Sequence, residues 1–196
     1  MLKVGINVSE INPLLNVATE IKDSELRKLT VSLLNKYKDT LLILPASISG
    51  KHHLGETAQG HIMRVVWFVK RIIEEFDLSQ DESDILLSSA ILHDIGNCVV
   101  TTKQRISEAQ IEYKTGWYRS VDGAKYHPIF SMVMIKCEAF DLKIGENVLI
   151  VKVAFTVSSH MSHWSPECPQ PTDDLAKYLA LADYLASRKE IKIEES

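Results

Sequence analysis

No apolar run in this sequence approaches the roughly 20 residues needed to span a bilayer, so no transmembrane helix and no membrane partner is expected. Cysteine is scarce. Cys98, Cys137 and Cys168 form an odd set without a C-x-x-C pair, which excludes a disulfide framework or zinc knuckle and reads as scattered reduced thiols. An excess of basic charge is also missing: 22 Lys and Arg stand against 26 Asp and Glu, for a formal net charge of -4. That balance argues against a nucleic-acid binder driven by bulk electrostatics, although it leaves room for a local basic groove. The opening residues Met1 to Gly5 lack the charged-then-apolar pattern of a signal peptide, and cytoplasmic location is the expectation. No internal repeat and little strand-like alternation are present.

What is there is helical periodicity. At 196 residues, 45% hydrophobic and 24% charged, the chain suits one domain with a sizeable core. Ser24 is placed to cap a helix running through Leu26, Leu29, Leu33 and Leu34. A longer amphipathic helix is predicted from about Thr57 to Phe76, with His61, Val65, Phe68 and Ile72 on one face. Asp81 to Asp94 reads as another, capped by Asp81 or Ser83 and broken by Gly96. Asn97 to Lys125 is the least regular part, with short strands allowed at Asn97–Val100 or Trp117–Val121. Helices then cover His127 to Phe140, Glu146 to Ser159 and Thr172 to Ser187. The class is all-α: a single domain over 1–196, with a core of about 41–187, an N-terminal helical extension over 1–40 and a charged tail over 188–196.

The most informative string is Ala90-Ile91-Leu92-His93-Asp94-Ile95-Gly96. A His-Asp pair closing an apolar helix is costly to bury without a partner, and a divalent metal removes that cost because imidazole and carboxylate both ligate it. Taken alone the pair equally fits a His at a helix C-terminus beside an Asp in a turn. Gly96 is expected to let the chain leave the helix tightly. Two further residues shift the balance. His61 lies on the apolar face of the preceding helix, and Asp183 sits on an apolar face with Leu175 and Leu179, where a lone carboxylate needs a cation or strong hydrogen bonds. An Arg such as Arg188 could fill that need for Asp183.

His61, His93-Asp94 and Asp183, in this order on helices, resemble the HD superfamily of metal-dependent phosphohydrolases, all-α helical bundles with a metal site between core helices. The resemblance implies that these four residues hold one metal and that Asp94 bridges to a second. His127, in Tyr126-His127-Pro128 at a helix start, and His160, in Ser159-His160 at a helix end, match the added histidines of binuclear members. Pro45-Ala46-Ser47, His52-His53, Gly60-His61, Leu92 to Gly96, Ser159-His160, Ser165-Pro166-Glu167 and Ala182-Asp183 follow a serial pattern similar to the HD domain of YhaM-type 3′→5′ exoribonucleases. Many members of the superfamily carry Lys after the His-Asp-x-Gly element, where this chain has Asn97.

The resemblance implies hydrolysis of a phosphoester, in a nucleotide or another small phosphorylated compound, through a metal-activated water, with Asp94 and His93 as the catalytic dyad. One or two divalent transition metals are expected; a mixed imidazole and carboxylate set suits Mn, Fe, Co, Ni or Zn better than Mg. Arg64, Lys114 and Arg119 are candidate phosphate-binding groups, and His163 a candidate proton donor to the leaving group. Alternatives are a nuclease or cyclic-nucleotide phosphodiesterase, a non-catalytic HD module that senses a ligand, and a di-iron oxygenase.

Overall fold

The computed structural model describes residues 13–46, 56–112 and 116–188. Eight α-helices dominate them, in the order α1 (Pro13–Ala18), α2 (Ser24–Ile43), α3 (Ala58–Glu75), α4 (Gln80–Leu92), α5 (Asn97–Val100), α6 (Val121–Asp141), α7 (Val148–Ser158) and α8 (Asp174–Ala186). The class is all-α, as expected. The exception is a small antiparallel sheet of β1 (Thr101–Thr102), β2 (Gln110–Glu112) and β3 (Tyr118–Ser120), in the order β1-β3-β2. Among the described residues no helix is long and apolar enough to cross a membrane.

Helix starts follow local chemistry, and twice they differ from expectation. Asp23, not Ser24, caps α2, accepting from the Leu26 amide at 2.7 Å. For α4 the cap is Ser79, not Asp81 or Ser83, because Ser79 and Glu82 form a reciprocal capping box that satisfies both amides. Thr57, Ser120, Asn147 and Asp173 cap α3, α6, α7 and α8 with side-chain oxygens. Of the two expected strand segments, the one within Trp117–Val121 contains β3, whereas Asn97–Val100 is the single helical turn α5.

The centre of the fold is α4. Every residue from Asp84 to Leu92 is buried, so the helix is covered all round and sits among α2, α3, α7 and α8. Ile85, Leu86, Ile91 and Leu92 are wholly inaccessible, and each such side chain contributes about 1.5–3 kcal/mol of transfer free energy. Two polar contacts set its register. Asp84 accepts from the Lys22 and Asp23 amides, tying the α1–α2 link to the start of α4, and the Ser88 hydroxyl meets Thr30 of α2 at 2.8 Å. Helix α3 lays His61, Ile62, Val65, Val66, Val69 and Ile72 inward, while Phe68 is only partly buried. Fixing α4 in this way fixes the place where it ends, at His93.

Candidate metal centre

His93 is the C-cap of α4 and Asp94 opens the turn that follows. That turn is clamped to α6 by one hydroxyl: Ser131 Oγ accepts from the Gly96 amide at 2.8 Å and donates to the His93 carbonyl at 2.7 Å. Gly96 does not serve as a left-handed helix stop, since its φ is -59°. It is required by close approach. A Cβ there would stand 2.3 Å from the His127 carbonyl oxygen and 2.7 Å from the Ser131 amide nitrogen.

Four imidazoles and two carboxylates converge beside this turn, from α3, the α4 terminus, α6, the α7 terminus and α8. All six residues expected as metal ligands lie here. His61 Nε2 is 2.9 Å from Asp183 Oδ1 and 4.0 Å from Asp94 Oδ2, and His93 Nε2 is 3.6 Å from the same Asp94 oxygen. On the other side His127 Nε2 is 3.1 Å and His160 Nε2 3.8 Å from Asp94 Oδ1. The two oxygens of Asp94 thus face two different histidine pairs. Asp183 takes its partner from His61; no salt bridge joins it to Arg188 among the described residues.

Three of the rings have their second nitrogen occupied. The Nδ1 atoms of His93, His127 and His160 lie 2.8, 2.9 and 2.7 Å from the carbonyls of Ala90, Ala124 and Val157. A carbonyl only accepts, so each Nδ1 carries a proton and each Nε2 is the atom turned to the centre. For His127 the reason is local. It lies in the second turn of α6 rather than at the helix start, and Pro128 after it has no N–H, so the Ala124 carbonyl loses its usual amide donor. The imidazole takes that carbonyl instead.

The donor set is what a cation accepts. His127 Nε2 and His160 Nε2 stand 3.2 Å apart, and His93 Nε2 and His61 Nε2 3.4 Å apart. With Nδ1 protonated on both His127 and His160, their facing lone pairs repel unless a cation or a further proton lies between. Burial and the neighbouring His93 and His127 push His160 down to about 4, so a further proton is disfavoured on His160 itself. The carboxylates are held charged. Burial opposes the charge on Asp94, but His93 and the hydrogen bond and charge of His127 outweigh it, and its pKa falls well below the ordinary value. Asp183 is likewise lowered to about 2, burial being overcome by the His61 hydrogen bond and nearby imidazoles. Burial alone would lower His61, yet its bond to Asp183 carries the net shift upward. Three overlapping groups could hold an ion: His61, His93 and Asp94; His93, His160 and Asp183; Asp94, His127 and His160.

The centre opens into a cleft of about 780 Å³. Arg119 and His163, two of the candidate substrate groups, line it. Arg64 is not among the lining residues; its guanidinium turns to the Arg188 carbonyl at 3.0 Å, because one turn past His61 it points toward the end of α8. Lys114, with His52 and His53, lies outside the described residues. Lining residues outside the expected substrate-binding groups include Asn97, Trp164, Lys177, Tyr184 and Arg188. Asn97 accepts a 2.5 Å hydrogen bond from Arg119 Nη1, and Arg188 stacks on the Tyr184 ring at 4.0 Å.

Comparison with known proteins adds one finding. The sequence family described as HD domain matches residues 59–188, more than half of the chain and a span that includes all six converging side chains. No curated protein and no solved structure matches.

Proposed function

The chain belongs to the HD domain family, which implies metal-dependent phosphohydrolase chemistry, and from that footing we propose that it hydrolyses a phosphoester of a nucleotide or another small phosphorylated compound. The observation that carries the reading is the placement of Asp94, whose two oxygens face two separate histidine pairs. His61, His93, Asp183 and Asp94 Oδ2 would hold one divalent ion, and His127, His160 and Asp94 Oδ1 a second. Imidazole and carboxylate donors suit Mn, Fe, Co, Ni or Zn. Bound there, such ions supply Lewis acidity that makes water nucleophilic near neutral pH and neutralises charge on phosphoryl oxygens.

The chain's own residues do the rest. Asp94 and Asp183 stay ionised, and the carbonyl bonds from Nδ1 hold His93, His127 and His160 in fixed orientation with Nε2 toward the centre. Arg119, steadied by Asn97, presents charge to a phosphate in the cleft. His163, whose ring lies 4.5 Å from that of Trp164, is placed at the cleft wall to give a proton to the leaving oxygen. Trp164 is exposed there and offers a face on which a base can stack. The likeness to YhaM-type exoribonucleases rests on the serial residue pattern, so short RNA belongs among the substrates to be tried. We further read the whole chain as one HD-type domain in the cytoplasm, a compartment that suits its three free cysteines.

Elemental analysis of purified protein, with turnover measured over nucleoside phosphates, cyclic dinucleotides and short RNA, tests the reading. Two metal equivalents per chain and hydrolysis abolished by Asp94→Ala are expected. No metal after reconstitution, or unchanged turnover in that variant, would overturn it, and one equivalent would confine the chemistry to a single ion.

A further inference from the structure

Helix α6 exposes an apolar stripe opposite the face that it packs against the fold, which one-sided packing does not explain. Its inner face buries His127, Ser131, Ile135 and Ala139. Its outer face carries Phe130, Val133, Cys137 and Phe140, spaced by three, four and three residues along one stripe, all exposed. Phe140 is 80% accessible, more than any other large hydrophobic residue that the structure exposes. Helix α7, packed against α6, repeats the pattern outward with Val148, Val151 and Phe155.

The stripe has a shape as well as a composition. At one end Phe140 projects as a knob. At the other, Phe130 and Ile129 join Val99, Ile106 and Tyr126 around a second cleft, about 540 Å³ in volume and largely apolar. Knob and cleft lie ten residues apart on one helix, roughly 15 Å at the α-helical rise. A surface with a projection and a matching recess on the same stripe complements itself under a two-fold rotation, the relation in which residue i meets j and j meets i. The area agrees. The exposed apolar side chains of α6 and α7 amount to roughly 500 Å², given the ~150–250 Å² an aromatic side chain can bury. A homodimer interface of about 800 Å² per partner that is about 65% apolar needs that much.

We propose that the chain forms a two-fold homodimer in which α6 pairs antiparallel with α6 of a second copy, each Phe140 entering the other copy's cleft beside Phe130. Cys137 of each copy then faces Val133 of the other. The pairing stands apart from the phosphohydrolase reading, because none of these residues lines the metal cleft.

Sedimentation equilibrium of the full chain at micromolar concentration tests it. Wild type is expected at twice the chain mass of 22.1 kDa. Phe140→Glu on the knob and Ile106→Glu on the cleft rim should each weaken the dimer about 30-fold or more, as loss of a hot-spot contact does. Phe140→Ala, which introduces no charge, should act in the same direction, and circular dichroism melts select the variants that fold. A monomeric wild type would overturn the proposal and leave the face to a partner of different sequence. A dimer that survives either glutamate substitution would overturn it too.

Discussion

The Gly96 amide donates to Ser131 Oγ at 2.8 Å, and through that single hydroxyl the turn bearing His93 and Asp94 is held against α6. The contact exists because Gly96 has no side chain, since a Cβ would collide with the backbone around His127 and Ser131. Gly96→Ala is therefore expected to push α6 away from the turn, at a stability cost of about 1–3 kcal/mol for overpacking. His127 rides on α6 and Asp94 on the turn, so the same change should loosen the hold on metal. Thermal melting together with metal content after dialysis checks both effects. A variant with wild-type melting would refute the close-packing argument.

Pro128 and His127 lead to a less usual expectation, in which stability and metal affinity move in opposite directions. Pro128→Ala returns an N–H to α6 and should stabilise the helix by up to about 3 kcal/mol. The restored amide bids for the Ala124 carbonyl that now receives His127 Nδ1. The imidazole loses part of its orienting bond, and affinity on the His127 and His160 side should fall about 10-fold, the low end for a supporting contact because a carbonyl can accept two bonds. Calorimetric unfolding and metal titration of the same sample test the pair of effects. Unchanged metal affinity would remove Pro128 from the design of the centre.

These two cases also show how far the centre is legible before any fold is known. His61 and Asp183 stand out because each is a polar group at a position where helical spacing demands an apolar one, and His93-Asp94 because the pair closes an apolar helix. His127 and His160 can be matched to a family pattern, but His127 reads as a helix-start residue only while the cap at Ser120 is overlooked. Gly96 suggests a left-handed stop, and its actual role depends on α6 crossing it some thirty residues later, which no local window contains. Asn97, Lys177 and Arg188 carry no local mark of a place in the cleft. They are polar residues among many, and only the crossing of α8 beside the end of α4 brings them to one cleft. Arg64 fails for the converse reason: helical spacing placed it near His61 but could not say that Arg188 would claim it.

Arg119 and Asn97 yield the prediction closest to substrate, and it rests on the phosphohydrolase reading. The residue after the His-Asp-x-Gly element is Asn97, which supplies no charge itself but holds the Arg119 guanidinium on β3 at the cleft. Arg119→Ala should lower kcat/KM by about 10- to 100-fold, the equivalent of one charged hydrogen bond of about 1.5–3 kcal/mol. Asn97→Ala should lower kcat/KM as well, by a smaller factor and mainly through a higher KM. Metal content should stay unchanged in both. Loss of metal in either variant would move these residues from substrate binding to support of the centre.

Glu138 couples α6 to α2 and makes stability depend on pH in a definite direction. Its buried carboxylate accepts hydrogen bonds from Ser32 and from Lys36. Burial by itself would raise its pKa, but the Lys36 and Ser32 hydrogen bonds and the Lys36 charge outweigh it, and the folded value lies below the ordinary one. The unfolded chain therefore binds this proton more readily than the folded chain does. The contribution to stability is complete above the unfolded carboxyl pKa of about 4.3 and is lost as pH falls through the lower folded value. Urea unfolding at a series of pH values should show the wild-type midpoint falling through this acidic window, with a flatter profile in Glu138→Gln. The two proteins should differ most near neutrality, where only the wild type carries the charge, and converge in acid, where both carry a neutral side chain. A gap between them that stays constant from neutral to acid pH would mean that packing at Glu138, and not its ionisation, joins α6 to α2.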